Sequence, residues 1–197
     1  MAGRRSLSRR ELLYKLAFAA TPITSRELAE YLGLDSRSVA GRLRALVERG
    51  YATRRGRCYE VTERGLKLLR RRLEERLDRI LGGVGPGEAF YLRREPDKLG
   101  GVRVRSLEEL VEAVRYANPL SVKYHLERGD LKSWIEDVLG DDYLAHSIAS
   151  SLEPLAGTVE APFLRDFLYD LASSRLSKLR TLAKALRGHY GEGEGGI

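Results

Sequence analysis

Apolar residues recur at helical spacing near the start of the chain. Leu12 and Leu16 fall on one face of a first helix, which the pattern predicts over residues 8–20. Ser8 stands three residues before Glu11, the spacing of a capping box, in which each side chain bonds the other's backbone N–H. The pattern therefore predicts an amphipathic helix with a defined first residue.

A second, shorter helix follows after a break at Thr21-Pro22. Thr24 and Glu27 repeat the capping-box spacing, and Gly33 is placed as a helix-ending glycine, so we expect a helix over residues 25–32. Two short helices separated by the turn sequence LGLD are typical of a helix-turn-helix.

The third helix is predicted from Asp35 or Ser36 to about residue 49, because Gly50 stops it. Val39, Leu43 and Leu46 recur at i, i+4 and i+7 and must face a core. The opposite face of this helix is polar and rich in arginine.

The next segment has the pattern of a β-hairpin and a further helix. Residues 51–54 and 58–61 are β-prone and flank the turn sequence Arg55-Gly56-Arg57. A helix is then expected from residue 62 to about 81. The predicted order of elements is helix, helix, helix, hairpin, helix.

This order, carried by residues 24–69, resembles the winged helix-turn-helix domains of small prokaryotic transcription regulators. The run L..RGY..R....Y.VTERG, from Leu46 to Gly65, is especially typical. The resemblance covers about the first 80 residues. It implies that the third helix enters the major groove of duplex DNA and that a basic wing contacts the backbone or the minor groove.

Eight residues are the candidate DNA contacts. Arginine forks can pair with guanine or phosphate, serine can reach a base or phosphate, and a glycine permits close approach. The alternatives are an ordinary solvated helix face and a charged loop that protects a sheet edge. The candidates on the third helix are Arg37, Ser38, Gly41, Arg42 and Arg44, and those on the wing are Arg54, Arg55 and Arg57.

The second half of the chain has a different pattern. We expect a glycine-rich linker at 83–87, a small α+β, mostly helical domain over 88–190, and a flexible tail at 191–197. The whole chain is thus predicted to be mainly α with small β elements. The predicted elements of the second domain are strands at 88–94 and 101–105, a helix opening at Ser106, and a terminal helix over 161–186.

A motif in this half, Y-H-x-x-R-x-D-x-x-x-W, resembles one found in an uncharacterised domain of archaeal and some bacterial proteins. The residues are Tyr124, His125, Arg128, Asp130 and Trp134. We interpret them as a helix-capping and packing group, with recognition of an unknown effector as the alternative. Catalysis is not expected, because no nucleophile or metal partner is nearby in sequence.

The terminal helix carries a heptad pattern, with apolar residues stepping by three and four. Such a seam predicts a homodimer, which two DNA half-sites would require. The alternative is a helix buried within its own domain. The seam residues are Ala172, Leu176, Leu179, Ala183 and Leu186, flanked by Tyr169 and Tyr190, and a second stripe holds Phe163, Phe167, Leu168 and Leu171.

Charge separates the two halves. Residues 1–82 carry 20 Lys and Arg against 10 Asp and Glu, a net charge of +10, and residues 83–197 carry 15 against 18, a net charge of −3. The first half therefore suits a polyanion. Of the 35 basic residues 28 are arginines, which favours phosphate and base recognition or reflects a GC-rich genome. A charged fraction of 32% with one Met is typical of thermophile proteins.

Composition excludes several classes of protein. No stretch reaches the roughly 18 apolar residues of a membrane span, and no signal-like core follows the basic start. Cys58 is the single cysteine, so we expect no intramolecular disulfide, and one cysteine with three scattered histidines does not suit a structural zinc site. We expect no metal or cofactor, and a cytoplasmic location.

The function that we expect is sequence-specific binding of double-stranded DNA by a homodimeric transcription regulator. The alternatives are a winged-helix interaction adaptor in transcription or replication machinery, an enzyme built on residues 88–190, and an RNA-binding protein. A basic first half argues against the adaptor, and the missing nucleophile or metal set argues against the enzyme. The sequence shows no aromatic-rich sheet on which RNA bases could stack, and this argues against RNA binding.

Overall fold

The computed structural model describes residues 7–93 and 100–188, and there the chain is mainly α-helical with two small antiparallel sheets, as predicted. Short 3₁₀ turns and π-helical segments join some elements. The elements in order are α1 (Arg9–Ala19), β1 (Ile23–Thr24), α2 (Ser25–Leu32), α3 (Ser36–Glu48), β2 (Ala52–Arg55), β3 (Cys58–Val61), α4 (Glu63–Leu77) with a π-helical extension (Asp78–Gly82), β4 (Phe90–Arg93), β5 (Gly101–Val104), α5 (Leu107–Arg115), α6 (Pro119–Arg128), α7 (Asp130–Ser133) followed by a π-helical segment (Trp134–Leu139), α8 (Asp142–Ser151) and α9 (Ala161–Gly188).

The chain forms two compact units, and their boundary differs from the predicted one. The first unit comprises Met1–Glu74 with Thr181–Ile197, and the second comprises Glu75–Arg180. The segment 83–87, predicted to be a linker, lies inside the second unit. Val84 is buried there and its N–H donates to the carbonyl of Arg105 at 2.9 Å. Glycine-rich composition indicated a linker, but these backbone contacts are long-range and invisible in the composition.

The first unit is built on α1, α2 and α3 with the sheet β1-β3-β2. Leu12, Phe18, Leu28 and Leu43 are fully buried at its core. Strand β1 was not predicted from the sequence, because it contains only two residues, of which Ile23 pairs with Tyr59 on β3. The predicted helices α1 to α4 and the hairpin are present within a few residues of the expected bounds.

Two predicted capping boxes have different outcomes. Thr24 and Glu27 form the complete box: the N–H of Glu27 donates to the Thr24 hydroxyl at 3.2 Å and the Thr24 N–H donates to the Glu27 carboxylate at 2.8 Å. Ser8 caps α1, but the Glu11 carboxylate binds Arg72 instead, with contacts of 2.6 and 3.1 Å. A guanidinium 61 residues away offers that carboxylate two charged hydrogen bonds, which are stronger than one bond to a backbone N–H.

The second unit packs α5, α6, α8 and the first part of α9 with the sheet β4-β5. Its core includes Leu110, Val122 and Ile148, all fully buried. A buried ion pair joins Asp141, just before α8, to Arg175 on α9 through N–O contacts of 2.9 to 3.1 Å. Asp141 also caps α8 by accepting the N–H of Leu144.

The predicted dimer seam on α9 is wrong, because this face is buried by the chain itself. None of the five side chains exposes more than a tenth of its surface, so none is available to a partner helix. Heptad spacing shows which face is apolar but not what covers that face. The exposed fractions are 0% for Ala172, 6% for Leu176, 0% for Leu179, 9% for Ala183 and 2% for Leu186. In the second stripe Leu168 is buried but Phe163 is 52% exposed.

Among the described residues no helix is both long and apolar enough to cross a membrane. Several predictions fall outside those residues: the end of the first strand of the second domain at residue 94, most of the turn that follows it, Tyr190, and the tail at 191–197.

Candidate nucleic-acid interface

Helix α3 presents a sharply divided surface. Asp35 is its N-cap, with the carboxylate accepting the N–H of Ser38 at 2.9 Å. Val39, Leu43 and Leu46 are all buried, as their spacing predicts. The apolar stripe fixes the rotation of the helix about its axis, and so it decides which side chains face outward.

Four of the five candidates on α3 face outward. Arg37, Ser38, Gly41 and Arg44 are exposed. Within residues 7–93 and 100–188, neither Arg37 nor Arg44 has an acidic partner or a hydrogen bond from its guanidinium. No described residue therefore satisfies these forks, and they can donate to an external acceptor.

Neither the backbone conformation nor the packing of the described residues requires a glycine at position 41. A Cβ added there would meet no atom within 4 Å, and the backbone is ordinary right-handed helix. Glycine inside a helix costs about 0.5–1 kcal/mol relative to alanine. Among the described residues no packing contact compensates for this cost.

Arg42 does not join the exposed set. Its guanidinium is half-buried and donates to the carbonyl of Leu7 at 2.8 Å, which ties α3 to the segment before α1. The prediction of a base contact for Arg42 is therefore corrected to a structural role. Helical spacing places this residue on the flank of the helix, and a carbonyl 35 residues away decided which way the side chain turned.

The β2–β3 hairpin is tighter than predicted. Arg55 lies within β2 and pairs with Cys58, so the turn contains only Gly56 and Arg57. Gly56 has φ +61°, the left-handed value that a two-residue hairpin turn requires at its first central position. The glycine thus determines the turn, and an arginine stands at its tip.

The three hairpin arginines differ in freedom. Arg54 folds back over the turn: its Nε donates to the carbonyl of Gly56 at 2.9 Å, and its guanidinium lies 5.7 Å from the Tyr59 ring. Arg55 is 79% exposed, with Glu60 4.0 Å away. Arg57 is exposed and has no ion pair within the described part of the chain. Arg57 is consequently the most available cation of the hairpin.

Two residues that sequence reasoning missed anchor this hairpin. The Thr62 hydroxyl donates to the carbonyl of Gly50 at 2.6 Å. A Cβ on Gly65 would stand 2.3 Å from the carbonyl oxygen of Tyr51, so only glycine lets α4 approach the base of the hairpin. Both residues belong to the motif VTERG, which was the available signal for their role.

Two arginines of α4, Arg70 and Arg72, are bonded to other residues of the chain. Arg70 bonds Glu74 at 3.0 Å and also reaches the carbonyl of Leu186. Arg72 binds Glu11, and its guanidinium lies 3.7 Å from the Tyr14 ring. These cations are therefore used by the fold.

The motif of the second half is brought together as a packing cluster. The Nε2 atom of His125 accepts the N–H of Arg93 at 3.2 Å, and Nδ1 lies 2.9 Å from the Asp130 carboxylate. Because Nε2 is an acceptor, the proton sits on Nδ1 and is donated to Asp130. His125 is 3% exposed, so this neutral imidazole joins β4 to the start of α7.

The remaining motif residues surround that histidine. Tyr124 packs edge-on against His125, with ring centroids 5.2 Å apart. Trp134 is buried, and its indole N–H donates to the carbonyl of Glu88 at 2.8 Å. The prediction that Asp130 caps a helix is wrong: it is the first residue of α7, where Gly129 holds the cap position, and its carboxylate faces His125 and Arg128. The ring N–H of His125 donates to this carboxylate, which therefore does not cap the helix.

Among the described residues no group of three or more His, Cys, Asp or Glu could hold a metal ion. Comparison of the chain with protein-family models, with curated proteins and with solved structures finds no match.

Proposed function

We propose that this protein is a sequence-specific, double-stranded DNA-binding transcription regulator whose first unit is a winged helix-turn-helix. In this proposal α3 enters the major groove and the β2–β3 hairpin acts as the wing on the backbone or the minor groove. The helix would read base edges from its first half, where Arg37 and Ser38 lie.

The observation that carries the proposal is the outward face of α3. It joins Arg37 and Arg44, which have no partner among the described residues, to Gly41, where an added Cβ would meet no clash in the described structure. A groove-binding helix explains all three at once, since guanidinium forks suit guanine and phosphate and a bare backbone permits close approach. A merely solvated face would explain the arginines but gives no reason for the glycine.

The wing contribution rests on the turn of the hairpin. Gly56 fixes a two-residue turn that projects Arg57, and Arg55 is largely exposed beside it. Cations at the tip of a rigid ribbon are suited to phosphates, and such contacts are independent of sequence and weaken with salt.

The experiment that tests the proposal begins with selection of duplexes from a random pool, followed by anisotropy titration of the selected and scrambled duplexes. We expect Arg37→Gln to weaken binding to the selected duplex by about 1–3 kcal/mol and to narrow its advantage over the scrambled one. Arg57→Gln should weaken binding to both duplexes alike and lower the salt slope by about one.

The matched control is Lys184→Gln, which removes the same charge from an exposed residue of α9 that has no ion pair in the described chain. It should leave both titrations unchanged. If the intact protein binds no duplex at low salt, the proposal is wrong. Equal losses of affinity for Arg37→Gln and Lys184→Gln would show that binding depends only on net charge, and this result would also contradict the proposal.

A further inference from the structure

The second unit contains a cleft that the proposed function does not use. Its volume is about 920 Å³. One wall is formed by β4 and β5, and the other by α5 and the turn that leads into α6. Small-molecule sites in proteins typically measure about 300–1,000 Å³, so the cleft has the size of a ligand site.

The lining is largely apolar, and much of it is open to solvent. Leu92 and Val102 are cross-strand partners on the sheet, and Ala113 lies on the facing helix. Val102 is 43% exposed and Tyr116, at the end of α5, is 73% exposed. Covering apolar side chains that are exposed around a concavity lowers the free energy of the system, so such a surface favours the binding of a partner.

The two faces of α5 explain why this cleft is separate from the core. Leu107, Leu110 and Val114 are fully buried and hold the helix in place. Glu109 and Ala113 stand four residues apart on another face of the helix, and both line the cleft. The cleft wall is therefore a second, mixed face of a helix whose packing needs are already met.

The charges at the cleft are partly paired within the protein. Glu109 is already engaged, because it accepts from the N–H of Arg105 at 2.8 Å and from its guanidinium at 3.0 Å. Burial raises the pKa of Glu109, but these hydrogen bonds and the charges of Arg105 and Arg103 together hold it below its ordinary value. Its negative charge is thus compensated before any ligand arrives.

The charged residues of the lining are Arg93, Arg103, Glu109 and Glu112, two cations and two anions. Arg93 is positioned over the Tyr124 ring at 4.8 Å. Arg103 is exposed and makes no hydrogen bond or ion pair with the described residues. Its planar fork is available to a carboxylate, sulfonate or phosphate oxygen pair.

We infer that this cleft binds a small organic anion with an apolar or aromatic body, whose acidic group faces Arg103. The apolar walls cover the body of the ligand, and the guanidinium of Arg103 selects the anion over a neutral molecule of the same shape. This site stands independently of DNA binding.

The test uses two fluorescent probes that share one aromatic skeleton. The anion 1-anilinonaphthalene-8-sulfonate carries an acidic group, and N-phenyl-1-naphthylamine lacks it. Both are titrated into the full chain without DNA, under conditions where it unfolds cooperatively, since loosely packed states also bind the anionic probe. We expect saturable binding of both probes, tighter for the anion.

Three variants locate the binding. Arg103→Gln should weaken the sulfonate on the order of tenfold and leave the neutral probe unchanged. Ala113→Leu should weaken the binding of both probes, and Ala113→Trp should abolish it, because leucine fills part of the cleft and tryptophan fills more of it. Lys184→Gln removes an equal charge elsewhere and should change neither titration.

Several results would overturn the inference. Saturable sulfonate binding that survives Ala113→Trp would place the probe elsewhere. Equal affinity for the two probes, or an Arg103→Gln effect no larger than that of Lys184→Gln, would remove the anion selectivity. Probe binding that falls as the chain dimerises, and returns in a monomeric variant of the cleft, would show that a second copy covers this surface. Because no DNA is present, these failures are distinguishable from failure of the proposed regulator function.

Discussion

At the residue scale, substitution of Gly41 is expected to change stability and DNA affinity in opposite directions. A Gly41→Ala side chain meets nothing within 4 Å. We expect this substitution to raise the free energy of unfolding by about 0.5–1 kcal/mol and, if α3 enters the major groove as proposed, to weaken binding to the selected duplex, because the new methyl would face the groove. Denaturant unfolding and anisotropy measure the two effects.

The control for Gly41 is Gly82, where an added Cβ also meets nothing within 4 Å. Gly82→Ala should leave DNA affinity unchanged. A Gly41→Ala protein that is more stable and binds the duplex as well as the wild type would show that the glycine has no role in close approach.

His125 illustrates a residue whose chemistry serves packing. His125→Ala leaves the half-buried N–H of Arg93 without its acceptor. Loss of a partner of this kind costs about 1–3 kcal/mol, which chemical denaturation should detect. Arg128→Ala, at a side chain that is 59% exposed, should cost less than about 0.5 kcal/mol. A smaller loss for His125→Ala than for Arg128→Ala would contradict the packing role.

At the element scale, the start of α2 depends on an ionised carboxylate. Hydrogen bonds from the hydroxyl and the N–H of Thr24 lower the pKa of Glu27 below its ordinary value of 4.5. A lowered pKa in the folded state contributes stability above the unfolded pKa, and this contribution disappears as the pH falls through the folded pKa.

Glu27→Ala should therefore lower the free energy of unfolding by about 1 kcal/mol or less at neutral pH, and by progressively less below about pH 4.5. Urea unfolding as a function of pH measures the difference. Glu30→Ala, at an exposed residue of the same helix, supplies the comparison. A loss for Glu27→Ala that stays constant into acid would show that the carboxylate charge does not cap the helix.

The role of the apolar face of α9 can be tested by truncating one of its buried side chains. Leu179 is fully buried in the single chain. Leu179→Ala should cost about 2–5 kcal/mol of unfolding free energy, the range for truncating a buried leucine. Lys184→Ala, on an exposed residue of the same helix, should be nearly neutral. Altered sedimentation with unchanged stability would restore the dimer seam that the structure contradicts.

At the scale of the whole molecule, the first unit is assembled from two separated parts of the chain. The end of α9 belongs to it: Leu186 is 2% exposed and its carbonyl accepts from Arg70. A chain ending at Arg180 should therefore show faster amide hydrogen exchange in α1 to α3 than a chain ending at Gly188. Equal exchange in the two chains would mean that α9 adds nothing to this unit.

The local features of the fold could be predicted because their causes lie within a few residues. Thr24 meets its capping partner three residues on, and Gly56 determines its own turn. The buried face of α3 follows from apolar side chains spaced three and four apart. These causes are propensity, capping and periodicity, which act along the chain and are legible without tertiary contacts.

The remaining features depended on groups distant in sequence. Arg42 donates to the Leu7 carbonyl, and the Glu11 carboxylate binds Arg72 instead of completing its capping box. The apolar face of α9 is buried by its own chain. The same holds for the cleft, whose walls come from two strands and a helix.

The sequence by itself therefore determined the helix starts, the hairpin and the arginine-bearing face of α3, because each is a local consequence of residue type and spacing. Only the tertiary structure decided which arginines the fold uses and which it leaves open, since hydrogen bonds and burial depend on partners that folding brings together.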